Sequence, residues 1–411
     1  MKKSLFFALA LAGTLCSCSS EDAIEAGVAG GNDGGVNPEL VPIKFGMANN
    51  AVVTRGSGTV GDIDGSEANV WNGQTIKVFM FERDKETGLS TLKSATSNID
   101  ELKAVEGVNG IYYNYALNAP VGGYEGYATD PNKDIKYYPT VGSFDFWAYH
   151  VDEEKDGVAI GEPAAAKEPY ANEAGDAMLL DISIDGSQDI MVAKAAPKDD
   201  EDLNGVTEDR LYSAFSARNG IQPTLTFNHL LTRLKFKVSV TNEVAENKDI
   251  RVKDIKVWSK KTGKLVVAYT GEKPENLIEF DETLEQLTLK ARTEEGGLTD
   301  LVAYEPVELT GPGVEIGEAL LVAPAEEYSM QITLIQNVKL NENDEEAQVV
   351  TYNYGENFGD LKITRDGGFV AGNSYTVNVT VWGLEEIKIN TVLTGWVDGT
   401  PDGDIDINPE D

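Results

Sequence analysis

The sequence predicts an all-β protein with two sandwich domains. Short runs in which apolar and polar residues alternate recur along the chain, bounded by Gly, Asn or Asp. No long stretch of helical period follows the leader, apart from a brief candidate at Asp281–Leu289. The chain has 411 residues and two Cys, Cys16 and Cys18, so the mature part has no internal disulfide and must be held by its core. A mature length of about 390 residues is enough for two such cores.

The leader reads MKKSLFFALALAGTLCSC. Lys2 and Lys3 precede an apolar run, Leu5–Leu15, which is too short to span a bilayer and has the form of an export signal. Its end, Leu15-Cys16-Ser17-Cys18, resembles the lipobox of bacterial lipoproteins. Cys18 fits as the lipidated residue, because Leu15 stands three positions before it and the small Ser17 just before it. Cys16 is the rival, and an ordinary secretory signal with two incidental cysteines is the plain alternative. Several acyl chains on one Cys give stable anchoring. Residues 1–17 are thus expected to be a lipoprotein signal peptide. Residues 18–40, rich in Gly and acids, are expected to be a flexible tether. Ser19-Ser20-Glu21-Asp22 resembles the acidic signal that sends lipoproteins to the outer face of the outer membrane.

Residues 41–55 are expected to form an N-terminal strand and the end of a propeptide. Ile43, Phe45 and Met47 alternate with Lys44 and Gly46, and a loop follows to Arg55 and Gly56. A first domain is expected over 56–222. Its strands are Thr75–Phe81, Tyr137–Pro139 and Phe144–Tyr149, followed by long acidic loops from about 151 to 218 around the apolar island Asp189–Ala193. A second domain is expected over 223–411. Leu234, Phe236, Val238 and Val240 alternate, as do Ile255 and Val257, Met330, Ile332 and Leu334, and Tyr375, Val377, Val379 and Val381. Leu230-Leu231 suits a brief helical turn.

The net charge of −35 becomes −37 once Lys2 and Lys3 leave with the leader. Such a chain repels nucleic acid and anionic membranes, and self-association must be specific. Two histidines, His150 and His229, are the available imidazole bases, and each suits an ordinary polar group at a strand end. No G-x-S-x-G, H-E-x-x-H or P-loop occurs. Asp130–Asp134 and Asp398–Asp406 lack the Gly and closing Glu of an EF-hand. No enzyme, metal or cofactor is therefore expected.

The chain resembles the fimbrillin family of surface lipoproteins from Gram-negative anaerobes. The likeness rests on the lipobox at Cys18, on PIKF followed by Thr54-Arg55, and on WNGQTIKVFMF at 71–81. It continues with YYP and FDFWAYH at 137–150, DIMVA at 189–193, FNHLLTRLKFKV at 227–238 and LLVAPAEEY at 320–328. AGNSYTVNVTVWGLEEIKI at 371–389 and LTGW at 393–396 complete it. The resemblance implies two transthyretin-like β-sandwich domains and a structural subunit of fimbriae that supports adhesion.

It also implies a course of assembly. The precursor reaches the outer membrane surface on its lipid anchor. An arginine-specific surface protease cuts between Arg55 and Gly56, and the strand carrying Ile43, Phe45 and Met47 leaves a groove. A donor strand near 385–411, with Ile387, Ile389, Leu393 and Trp396, then fills that groove in another copy or a related fimbrial subunit. The donor segment is expected to be dispensable for monomer folding. The alternative function is a non-catalytic surface glycan-binding lipoprotein, to which Tyr112, Tyr113, Tyr115, Tyr124 and Tyr127 could contribute an aromatic cluster.

Overall fold

The strand Thr75–Arg83 shows how alternation builds the first sheet. Phe79 and Phe81 enter one hydrophobic core, while Val78 and Met80 enter another. Its neighbour Phe144–Val151 repeats the division, with Trp147 and Tyr149 on one side and Phe146 and Ala148 on the other. Both faces are covered, so FDFWAYHV is buried almost throughout, its apolar residues interrupted by the buried polar Asp145 and His150. The structure, a computed structural model, describes residues 41, 43, 46–47, 75–103, 138–151, 154–155, 158–159, 169–196, 203, 206–221, 223–241, 249–293, 298–303, 307–309, 312–338, 348–381 and 387–394.

The protein is all-β. The first sheet runs in the order Gly46–Met47, Thr224–Leu225, Ile190–Ala196, Phe144–Val151, Thr75–Arg83, Ser90–Lys103. A second has the order Val314–Val322, Thr232–Val240, Ser374–Val381, Ile387–Thr394. A third has the order Leu284–Thr288, Asp249–Lys260, Ala325–Val338, Gln348–Tyr354, and Lys362–Phe369 also pairs with Ala325–Val338. Leu234, Phe236 and Val238, with Val377 and Val379, share one core with Ile250, Val252, Val257, Ile332 and Leu334 of the third sheet. The period-2 pattern therefore closes into a sandwich.

A fourth sheet joins the chain on either side of residue 222. Ala177–Ser183 pairs with Thr262–Tyr269 from Ser183↔Thr262 to Ala177↔Tyr269. Lys261 alone separates Thr262–Tyr269 from Asp249–Lys260, so nearly continuous extended chain passes from the third sheet to the fourth.

Several local expectations are corrected. Tyr138 and Pro139 are not in a strand, although Tyr138 is buried, and Pro139 has no N–H to give a ladder. Leu230 and Leu231 make no helical turn; the Leu230 N–H donates to Ile190 O at 2.9 Å. Within the helical candidate, Leu284–Thr288 is a strand on Asp249–Lys260. Among its described residues the acidic middle holds more strand than two short pieces, and the α-helix Ala214–Arg218. Ser213 caps that helix by accepting from Ser216 N at 3.1 Å, and Ser216 Oγ accepts from Ser213 N at 2.8 Å.

One buried network ties three strands of the first sheet. Arg83 Nε and Nη2 donate to Asp145 Oδ1 at 2.9 and 2.6 Å, and Ser90 Oγ bonds Asp145 Oδ2. Asp145→Ala leaves Arg83 without that carboxylate and should cost about 3 kcal/mol, toward the low end for a broken buried pair because Arg83 keeps some contact with water. Thermal unfolding measures the loss.

Candidate functional site

The open edge of the first sheet is the candidate site. Val41 O accepts from Tyr138 N at 2.9 Å. Further on, Gly46 and Met47 pair in parallel with Thr224 and Leu225. Between these attachments Ile43 is buried to 1% exposure. The residues around it explain that burial. Tyr138, Phe144, Phe146 and Tyr212 belong to the same core, together with Leu225 and Phe227. Tyr138 meets Phe146 edge-on at 6.0 Å, and Phe146 meets Tyr212 edge-on at 6.1 Å. Burial, with Tyr212 nearby, pushes the Tyr138 phenol well above its ordinary pKa.

The segment around the short helix positions part of this wall. Tyr212 has φ 51°, a left-handed conformation that its fully buried ring and the bond from Phe144 N to its carbonyl, 3.2 Å, hold in place. The capping box then turns the chain into Ala214–Arg218, and Ile221 N returns to Ser216 O at 3.0 Å. Ile221 and Leu225 thereby enter the same cluster. Removing the N-terminal segment would bare this apolar surface and the outer backbone edge of Thr224–Leu225.

Ile43→Ala is accordingly expected to lower the stability of the uncut chain by about 2–5 kcal/mol, the range for truncating a buried branched side chain. Denaturant titration checks it, and an unchanged midpoint would contradict a seated Ile43.

The second element is Ile387–Thr394. It pairs antiparallel with Ser374–Val381 through eight residues, from Val381↔Ile387 to Ser374↔Thr394. It lies at the end of the second sheet's strand order. Ile387, Ile389 and Leu393 are partly buried against the main core, and Lys388 and Asn390 face outward. The central Ser374–Val381 is much better covered, with Tyr375, Val377, Val379 and Val381 all fully buried.

Of the residues expected to function, the structure describes Ile43, the backbone of Met47, Ile387, Ile389 and Leu393. Cys18, Phe45, Arg55, Gly56 and Trp396 lie outside the described residues, as do the leader, the tether, the tyrosine cluster at 112–127 and the acidic loops at 130–134 and 398–406. The two expected strands belong to different sheets. Sequence reasoning read Tyr138 as an aromatic residue of a strand, and missed Tyr212 and Ile221, apolar residues in a polar, loop-like context, as members of the core that holds Ile43. His150 and His229 are both buried, and His229 Nδ1 lies 2.6 Å from Asp189 Oδ2. Among the described residues no three His, Cys, Asp or Glu side chains are grouped to hold a metal ion, and no helix is long and apolar enough to cross a membrane.

A family profile described as fimbrillin-like matches residues 65–396. No curated protein matches the chain. Among solved structures, a fimbrial protein of Bacteroides vulgatus superimposes with a TM-score of 0.48 and 13% identity, over 87% of this chain and 100% of that one. A candidate cell adhesion protein of Bacteroides uniformis does so at 0.39 and 13%, over 87% and 98%. A candidate cell adhesion protein of Bacteroides ovatus does so at 0.37 and 16%, over 88% and 99%.

Proposed function

The chain belongs to the fimbrillin-like family, and from that premise we propose that it is a structural subunit of surface fimbriae, supports adhesion and grows by donor-strand exchange. Its work is assembly rather than catalysis. The precursor is held in the outer membrane by lipid on Cys18. An arginine-specific surface protease cuts between Arg55 and Gly56. The strand with Ile43, Phe45 and Met47 then departs, and the segment 385–411 of another copy, or of a related fimbrial subunit, enters with Ile387, Ile389, Leu393 and Trp396. The division into transthyretin-like domains over 56–222 and 223–411 belongs to the same proposal.

The observation that carries this reading is the contrast between the two strands. Ile43 is fully buried, yet described backbone pairing ties its segment only through Val41, Gly46 and Met47. Ile387, Ile389 and Leu393 are half-buried on their own sheet. Full burial of a large apolar side chain is worth about 1.5–3 kcal/mol. A strand moving from a half-covered edge into a vacated, aromatic-lined groove gains part of that at each anchor, and its backbone keeps a ladder. The contact runs head to tail, does not close, and extends a filament.

The anchoring step has its own test. Cys18→Ala should abolish metabolic labelling with a fatty acid and release the precursor from the membrane. Undiminished labelling would move the lipid to Cys16. A second reading, a non-catalytic surface glycan-binding lipoprotein, draws support from an exposed aromatic corner on the third sheet.

A further inference from the structure

The outer face of the third sheet carries a patch of aromatic and amide side chains on a strongly acidic chain. The sequence carries 69 acidic and 34 basic residues. Beyond the register shift between Val252 and Asp254, alternation buries Val257 and Ser259 and turns Trp258 to the outer face. Gln286 stands directly opposite Trp258 on the neighbouring strand. Gln286 Nε2 donates to Gln331 Oε1 at 3.1 Å, and Thr333 Oγ1 donates to Asn353 Oδ1 at 3.1 Å. Phe358 stands against Trp258, its ring centroid 6.2 Å away and its plane turned by 78°.

Phe358 is 62% exposed, and its loop imposes that exposure. Gly355 has φ +73°, and a Cβ there would stand 2.1 Å from Met330 O. Gly359 N donates to Ser329 Oγ at 3.1 Å, while Asn357 N and Nδ2 donate to Asp360 Oδ2 at 3.2 and 3.0 Å. A large ring is therefore held in water at a right-angled aromatic corner by a loop bonded to the sheet, next to the Gln286–Gln331 amide pair, while Asn353 Nδ2 donates to Glu356 Oε1 at 3.1 Å.

We propose that this corner, Trp258 and Phe358 with Gln286 and Gln331 beside it, binds a neutral glycan. A pyranose presents C–H faces, which suit aromatic rings, and hydroxyls, which suit amides able to donate and accept together. The charge of the site decides against other occupants. Lys256, at the centre of the face, is already paired with Asp254 at 3.2 Å. Lys260, two residues from Trp258 on the same strand face, is likewise paired with Glu282 at 2.9 Å, and a chain of net charge −35 repels acidic glycans. The inference does not depend on strand exchange; it names the chemistry of an adhesion target.

The test uses the full chain in detergent and a panel of uncharged oligosaccharides of glucose, galactose, mannose and N-acetylglucosamine, each beside a sialylated counterpart, read by titration calorimetry. At least one uncharged oligosaccharide should bind. Phe358→Ala and Trp258→Ala should each weaken it about tenfold, as expected for loss of one central aromatic contact, and Phe358→Tyr should retain it. Phe358 is largely exposed, so its replacement tests the site without emptying a core. No binding across the panel, affinity unchanged in both alanine variants, or tighter binding of the sialylated partner would overturn the proposal. So would filament growth lost in Phe358→Ala with no glycan bound, which would give the corner to another subunit.

Discussion

A chain ending before Glu385 is expected to stay folded and to stop growing filaments. Ile387–Thr394 is an edge strand, so its loss uncovers Ser374–Val381 but leaves the parallel pairing of that strand with Thr232–Val240 in place. Three half-buried anchors, at about half of the 1.5–3 kcal/mol for full burial, put the loss at roughly 3 kcal/mol before the ladder is counted. A domain stability of about 5–15 kcal/mol survives that, with a lower melting temperature. Assembly has no such reserve, because one missing donor leaves a groove unfilled at every junction. Thermal unfolding and electron microscopy of the trimmed protein separate the two effects. Collapse of folding would make this segment an integral part of its own sandwich and require a different donor.

Arg55→Ala should have an equally complete effect at the other end. With the bond to Gly56 uncut, Ile43 stays in its aromatic surroundings and the outer edge of Thr224–Leu225 stays paired with Gly46 and Met47. Lipidated precursor should accumulate at the surface without filaments, although its donor segment is intact. Such a chain could still give its own strand to one processed subunit, so mixing it with wild type should shorten filaments rather than abolish them. Normal filaments from Arg55→Ala alone would place processing at another residue.

How much of this was legible in the sequence depended on how local the deciding contacts are. Ser374–Val381 was plain because its buried residues recur at every second position. Phe144–Val151 was plain because a strand covered on both faces is largely apolar, here with Asp145 and His150 as its buried exceptions. Leu284–Thr288 misled, because Leu284 and Leu287 are three apart as on a helix, yet pairing from Lys256↔Thr288 to Lys260↔Leu284 decided its form. Ala177–Ser183 was hidden in an acidic stretch, and its partner lies across the expected boundary near 222. At the site, alternation pointed to Ile43, whereas the ring of Tyr138, Phe146 and Tyr212 around it is assembled by tertiary folding from three separate segments. Trp258 and Phe358 are likewise joined only because the loop after Gln348–Tyr354 folds back onto Ser329.

Strand exchange is tested most directly by treating the purified full chain with an arginine-specific protease, then imaging the product and sequencing its N-terminus. The account predicts conversion from monomer to filaments whose chains begin at Gly56. A trimmed subunit beginning at Gly56 that remains monomeric, or filaments whose chains begin at Cys18 or Ser19, would contradict it.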